Sequence, residues 1–258
     1  MKQPLAYIHP AAKIASNVVI DPFVTIEQNV EIGEGTRILS NVTIFEGTRI
    51  GKNCTIYPGA VIGAIPQDLK FQGEDTLAII GDNCTIRECV TIHRGTASKG
   101  KTVVGNNNLL MAYCHVAHDC VLGDNIIMSN ATQLAGEVVV DNFAVIGGGT
   151  LVHQFCHIGP HVMIQGGALV NKDIPPYVKA AREPISYAGI NSVGLRRRNF
   201  SNDTIREIQD IYRYLYLSGL NISDAVDRIE AELPATRERD EILQFVRNSK
   251  RGVIRGYV

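Results

Sequence analysis

A mainly β chain, a parallel β-helix of hexapeptide repeats followed by a C-terminal α-helical domain, is what this sequence predicts, and three observations predict it. An aliphatic residue returns at every sixth position from Ile8 to Val170, with two interruptions. The position four places after each of these leads is small or β-branched, as in Ala12, Val18, Val24, Val30, Thr36 and Val42. After Val170 the six-residue beat gives way to helical spacing. A period of six fits neither a helix, with its period of about 3.6, nor simple strand alternation. It fits short strand-and-turn units that stack on one another.

Each part of the repeat has a physical role. The large aliphatic leads fill a core, and the small residues fit a crowded second inward position. The one or two places after each lead are rich in Gly, Asp, Asn, Glu and Pro, as in Gly33-Glu34 and Gly51-Lys52, which suits tight or left-handed corners. Three hexads then close a triangular coil of about 18 residues, with successive coils ~4.8 Å apart. Each coil covers the apolar face of its neighbour, so stability is spread along the stack. Periodicity alone does not set the handedness, and parallel crossovers are as a rule right-handed.

The elements follow in order. The first run of leads is Ile8, Ile14, Ile20, Ile26, Ile32, Ile38, Ile44, Ile50, Ile56 and Ile62. A gap over 63–79 precedes Ile80, Ile86 and Ile92, and a second gap spans 93–103. From Val104 to Val170 the beat runs unbroken. Both gaps are expected to be function-bearing loops. Asp173-Ile174-Pro175-Pro176 marks a boundary, and 177–200 reads as an irregular connector. Ser201 is placed to cap a helix carrying Ile205, Ile208, Ile211, Tyr212, Leu215 and Tyr216, which stops near Gly219. Ser223 is expected to cap a second, with Val226, Ile229 and Leu233, ended by Pro234; a third carries Ile242, Leu243 and Val246. The expected division is therefore a β-helix with its connector over 1–190 and an α-helical domain over 191–258.

Composition narrows the function. A chain of 258 residues with a net charge of -1 gives no reason to expect nucleic-acid binding. No apolar stretch approaches a membrane span, and Met1 to Pro4 lead almost directly into the repeats, so a cytoplasmic protein without an export signal or transmembrane segment is expected. Of six cysteines, Cys54, Cys84, Cys114, Cys120 and Cys156 fall on the small inward position and are expected to be reduced core residues; Cys89 does not. No CxxC pair argues for zinc. Arg196, Arg197, Arg198, Arg213, Lys250, Arg251 and Arg255 are clustered despite the neutral total. They read either as a solvated helix face or as a docking surface for an acidic or phosphorylated partner.

His115-Val116-Ala117-His118-Asp119 is the local cluster that packing does not call for. Val116 is a core lead, so His118 and Asp119 sit at the next corner and His115 on the wall before it. An acid beside a histidine can hold the imidazole tautomer and stabilise its protonated form. Because 104–170 is unbroken, residues 18 apart should stack: Gly136 over His118, Gln154 over Gly136, Gln133 over His115 and Glu137 over Asp119. His153 brings another polar group to that corner. A base, a glycine N–H and an amide in one column suit acyl transfer, with the base activating a hydroxyl and the N–H binding an oxyanion.

Several further segments join this one. Ile65 to Lys70 lies in the first gap, Thr91-Ile92-His93-Arg94-Gly95 opens the second, and Val152 to Phe155 and Gly194 to Phe200 complete the set. In this order, and over essentially the whole chain, they resemble the UDP-N-acetylglucosamine O-acyltransferases that begin lipid A biosynthesis. The resemblance implies a left-handed β-helix and a homotrimer with active sites between adjacent β-helices. It implies transfer of an R-3-hydroxyacyl group from acyl carrier protein to the glucosamine 3-hydroxyl of UDP-N-acetylglucosamine. No cofactor and no metal are implied, the donor being a phosphopantetheine thioester on the carrier protein.

By motif match His118 would be the general base, Asp119 would orient it, and the Gly136 N–H would hold the oxyanion. Asp68 and Lys70 would contact the glucosamine, and His115, His153 and Gln154 the nucleotide sugar. His93 matches a site position of the family without a sharp role. Asn191, Arg197 and Arg198 match a segment near the nucleotide or phosphopantetheine, where arginine's planar fork suits phosphate. Gly166, followed by Gly167, matches a place where side-chain size limits acyl length, and a glycine there leaves room for a chain of about C14 or longer. Two departures are visible: Glu137 stands where the family often has histidine, and Val193 where an acid is familiar.

Other classes remain open to the residues alone. His93, His115 and His118 could serve as three imidazole ligands in a trimeric zinc enzyme resembling γ-carbonic anhydrase. A non-enzymatic scaffold would tolerate changes at His118. The related N-acyltransferase of the same pathway carries an extra N-terminal uridine-binding domain, whereas hexads here begin at Ile8.

Overall fold

The structure, a computed structural model, describes residues 5–256; the Met1 to Pro4 stretch, on which the expectation of a leaderless start rests, lies outside the described residues with 257–258. Almost every hexad contributes one two-residue strand, and the strands fall into three sheets of nine, eight and ten members, parallel throughout except for the last strand of the third. The first sheet runs from Tyr7–Ile8 to Leu169–Val170, the second from Lys13–Ile14 to His157–Ile158, and the third from Val19–Ile20 to Ser186–Ile190. The chain visits them in rotation, so every third strand pairs and the three sheets form the faces of a prism. Leads such as Ile26, Ile38, Ile44 and Ile56 are fully buried, while the residue before each faces outward. Five cysteines are buried in the second inward position and Cys89 is exposed; all six are free, as expected.

Partners lie 18 residues apart in the unbroken stretch, as in His115↔Gln133 and Gln133↔Leu151. Across the first gap the pairing is Val61↔Thr91, and across the second Thr91↔His115. Each gap therefore adds whole hexads, and the coil keeps its phase through both. The gaps are shorter than expected. Strands Val61–Ala64, Leu77–Ile80, Thr91–His93 and Lys101–Val104 extend the sheets into them, leaving irregular stretches at 65–76 and 94–100. The bases of both loops find ladder partners, so pairing continues until the chain must leave the prism.

Both loops leave from the edge at which the first sheet hands over to the second. We call this the first edge, the second-to-third handover the second edge, and the return to the first sheet the third edge.

The connector is more ordered than its sequence suggested. Val178–Ala181 continues the third sheet beside Met163–Ile164, and Ser186–Ile190 folds back antiparallel against it. Inward Val178 and Ala180 are fully buried, which keeps this stretch in the sheet after the hexads end. Four helices follow: α1 (Ser192–Arg197), α2 (Asn202–Leu217), α3 (Ile222–Glu232) and α4 (Arg237–Asn248). Ser201 caps α2 as expected, its Oγ accepting from the Thr204 N–H at 3.0 Å. The cap of α3 is Asn221 rather than Ser223: Asn221 is extended and its Oδ1 accepts from the Asp224 N–H at 2.9 Å, which puts Ser223 inside the first turn. The chain end then returns to the β-helix, with Ile254 N–H donating to Asp173 O and Tyr216 hydroxyl to Ile254 O. The helices thus close the open end of the apolar stack. No helix among the described residues is long and apolar enough to cross a membrane.

Candidate active site

Along the first edge the stacking expectation holds at atomic level. Glu137 N–H donates to His118 O at 3.0 Å and Phe155 N–H to Gly136 O at 3.1 Å, which locks the three corners into one column. A Cβ built on Gly136 would sit 2.6 Å from both Cε1 and Nε2 of His118. Only glycine lets the imidazole stand flat under the next coil. The Gly136 N–H has no hydrogen-bond acceptor among the described residues. A bare donor therefore lies beside the histidine ring.

Asp119 is fully buried with φ +61, a left-handed corner conformation that aspartate tolerates. Its Oδ2 lies 2.9 Å from His118 Nδ1. Burial pushes its pKa up, but hydrogen bonds from Thr96 and His118 outweigh this and hold the carboxyl below its ordinary value. An ionised Asp119 requires Nδ1 to carry a proton, so the lone pair available to take a proton from a substrate is the one on Nε2. The loop at 94–100 encloses this pair. Lys99 Nζ reaches both Asp119 O (3.3 Å) and Glu137 Oε2 (3.7 Å), and Ser98 Oγ donates to Glu137 Oε1 at 3.2 Å. Glu137 is thus tied to the loop.

Two more histidines border His118. His93 is buried, packs edge-on against His115 at 4.8 Å and is pushed down to about 4 by burial and by the other two rings. Its Nδ1 is buried without a partner among the described residues. Burial also lowers the His115 pKa; its Nδ1 lies 2.7 Å from Thr91 Oγ1. Both rings stay neutral near pH 7. They join Gln133, Gly136 and Gln154, with Gln67 from the first loop, around an open cleft of 440 Å³. His153 adjoins it, its Nδ1 3.1 Å from Gln154 O. Among the described residues no group of three or more His, Cys, Asp or Glu side chains is arranged to hold a metal ion.

The remaining expected site residues lie elsewhere on the same chain. Asp68 and Lys70 form a turn of the first loop, Asp68 Oδ1 accepting from the Lys70 N–H at 3.0 Å, and neither lines the cleft. Asn191 and Arg198 are on the second edge: Asn191 Nδ2 donates to His161 O, and Arg198 donates to Phe143 O while lying over the Phe143 ring. Arg197 is exposed beside them at the end of α1. Gly166 is exposed on the third edge, where a Cβ would meet Gly148 O at 3.0 Å. One chain therefore spreads the expected residues over all three edges.

Sequence reasoning missed Thr96, Ser98 and Lys99, which hold Asp119 and Glu137, because insertion residues carry no register from which to place them. It also missed Arg94. This buried guanidinium pairs with Glu46 at 3.1 Å and lies under the Phe71 ring, joining the two loops; its place directly after His93 was the available signal.

Residues 173–254 match the second domain of UDP-N-acetylglucosamine O-acyltransferase, 101–136 match the bacterial transferase hexapeptide and 2–103 match the GMPPB C-terminal domain. An acyl-[acyl-carrier-protein]–UDP-N-acetylglucosamine O-acyltransferase of Thermodesulfovibrio yellowstonii is 46% identical over 97% of both chains, and that of Halorhodospira halophila 44% over 98% of both. A solved UDP-N-acetylglucosamine acyltransferase from Bacteroides fragilis superposes with a TM-score of 0.97 at 59% identity, covering 99% of this chain and 100% of that one. The fold is thus the left-handed parallel β-helix with a helical C-terminal domain.

Proposed function

Because the chain belongs to the UDP-N-acetylglucosamine O-acyltransferase family, we propose that the first-edge cleft transfers an R-3-hydroxyacyl group from acyl carrier protein to the 3-hydroxyl of the glucosamine of UDP-N-acetylglucosamine, with His118 as general base. The transfer from carrier protein to this nucleotide sugar is the first step of lipid A biosynthesis. The observation that carries the reading is the column itself: an imidazole fixed by a buried carboxylate, stacked against a bare glycine N–H.

His118 Nε2 takes the proton of the sugar hydroxyl as its oxygen attacks the thioester carbonyl. The new C–O bond leaves a tetrahedral oxyanion, to which the Gly136 N–H donates. Collapse breaks the C–S bond, and the imidazolium, stabilised by Asp119, returns its proton to the departing phosphopantetheine thiolate. Neutral His93 and His115 let the cleft offer polar contacts without adding positive charge that would oppose formation of the imidazolium.

The distribution of the other residues supports a homotrimer. Asn191, Arg197 and Arg198 can join the His118 cleft when the second edge of one protomer faces the first edge of another, and Asp68 and Lys70, on the first-edge loop, would flank the same seam. There the arginines offer a fork for nucleotide or phosphopantetheine phosphate. From the cleft the first face runs past exposed Leu151 and Leu169 towards Gly166 and Gly167, where no side chain blocks a long acyl chain. Acyl carrier protein docks on the basic residues of the C-terminal domain, and a reaction drawing on carrier protein and nucleotide sugar places the enzyme in the cytoplasm. The test is an acyl-transfer assay with UDP-N-acetylglucosamine and carrier-protein thioesters of graded length. Product is expected, greatest with 3-hydroxyacyl chains of about C14 or longer; no product with any donor overturns the reading.

A further inference from the structure

Asp119 is an unusual corner residue because a loop buries it. Its Oδ1 accepts from the Thr96 N–H (3.0 Å) and the Lys99 N–H (3.3 Å), and its Oδ2 accepts from the Thr96 hydroxyl (2.6 Å) and His118 Nδ1 (2.9 Å). Thr96 therefore supplies two of the four donors, and its hydroxyl shares one oxygen with the imidazole. The threonine is itself held from both sides. Its O accepts from the Gly100 N–H at 2.7 Å, closing the loop, and its Oγ1 accepts from the Ser98 N–H at 3.1 Å. With that acceptor site filled, the hydroxyl proton is directed at Asp119. The base of the loop is pinned by Thr76 Oγ1 donating to Gly95 O at 2.6 Å.

We propose that Thr96 is a positioning residue that sets the proton affinity of the His118–Asp119 pair through its hydroxyl hydrogen bond to Asp119 Oδ2. A carboxylate oxygen with two donors gives each a smaller share of its charge. Removing the threonine donor leaves the whole of Oδ2 to His118 Nδ1–H, which stabilises the imidazolium and raises the pH at which the ring loses its proton. The other charged and titratable groups facing the pair are Lys99, through its Nζ on Asp119 O, Glu137 beyond it, and the His93 and His115 rings next to His118. All of them remain in a Thr96 variant. The surroundings of Asp119 agree: burial and hydrogen bonding act on it in opposite directions, and Thr96 is the main donor holding it ionised.

The proposal rests on His118 as the base, and the two fail separately. In Thr96→Val the acid limb of the kcat/KM profile is expected to move to higher pH and kcat to fall roughly tenfold, a fraction of what general base catalysis contributes, with KM for the nucleotide sugar within about twofold. Thr96→Ser keeps the hydroxyl and is expected to restore both kcat and the limb. If Thr96→Val is inactive through misfolding, seen as a lost thermal transition, the same upward shift of the acid limb is read from Thr96→Ala, which removes the donor without the second branch methyl, against Thr96→Ser. An unmoved acid limb in a folded Thr96→Val, or a serine variant that behaves like valine, overturns the role of Thr96 while leaving His118 in place. Near-normal turnover in His118→Ala instead overturns the base itself.

Discussion

Along the second edge, the N–H of the middle corner residue is taken by an Asp or Asn side chain from the coil above. Asp82 accepts from Lys52 (2.7 Å), Asn106 from Asp82 (2.8 Å), Asp124 from Asn106 (2.6 Å) and Asn142 from Asp124 (2.7 Å). Along the first edge the corresponding column is His118, Gly136 and Gln154, and no described side chain accepts from His118 or Gly136 N–H. Corner backbone is alike on both edges: Asn107 and Asn125 have φ of 57 and 58, Asp119 and Glu137 of 61 and 60. The difference lies in the side chains. A capped corner satisfies its donors within the stack and stabilises it, whereas an uncapped one holds a donor ready for an anion that forms only during reaction.

The largest break in this comparison comes from the base. His118→Ala should lower acyl transfer by a factor on the order of 10² or more, because general base catalysis is removed while core and corner backbone are untouched. Gel filtration should show unchanged assembly; turnover close to that of the unaltered protein would remove His118 from its role.

Transplanting the second-edge device to the first should cost nearly as much. Gly136→Asn places a Cβ where the His118 ring stands, 2.6 Å from Nε2. It also places an amide over the His118 N–H, the contact that Asn106 and Asn142 make on the second edge. The ring must turn away and the oxyanion donor shifts with it, so kcat is expected to fall by about 10², the scale of losing one oxyanion donor. Gly136→Ala separates the two effects, since it crowds the ring without adding an amide. Full activity in both variants would show that the stack is packing alone.

Each edge also holds a histidine, buried on the first and half-buried on the second, whose proton affinity is lowered, and here they should behave alike. His93 on the first edge and His161 on the second are each pushed down to about 4, chiefly by burial. His161 lies flat against Phe143 at 4.9 Å. Between pH 4 and the ordinary value of about 6.5 the unfolded chain binds protons that the folded chain refuses, so stability present near pH 7 is lost as pH falls through that window. For His93 the loss is on the order of 1–2 kcal/mol at pH 5. Thermal melts of His93→Gln should show a flatter pH dependence below pH 6.5 than the unaltered protein, and an identical slope would mean that His93 is already solvated.

How legible each edge was follows from the same contrast. The stack over 104–170 could be read as a ruler because every hexad there repeats one backbone path, so Gly136 over His118 and Gln133 over His115 were accessible from spacing. The Asx caps of the second edge were visible only as turn-forming composition, since nothing in a lone Asn106 or Asp124 says whose N–H it accepts from. Thr96 and Lys99 sit in an insertion, where the path is set by the residues they meet rather than by the beat. Asn221 rather than Ser223 caps α3 because both are competent cap residues two places apart, and backbone geometry at the turn decides between them. The strands at Val178–Ala181 and Ser186–Ile190 were hidden because their pairing partners, one parallel and one antiparallel, depart from the hexad rule.

The smallest expected effect is the most direct test of the comparison. Asp124→Ala removes the acceptor for Asn106 N–H and Asn106 Nδ2 on the second edge. The freed N–H is only partly buried and can turn to water, so the cost should resemble that of a lost helix cap, about 1 kcal/mol. For a chain of this size that is a fall in melting temperature of roughly 2–4 °C. Acyl transfer should stay within about twofold, because the first-edge column shares no hydrogen bond with this one. A large loss of activity without a matching loss of stability would mean that the column of Asx caps itself serves the reaction, and that the capped and bare corners do not divide structure from chemistry.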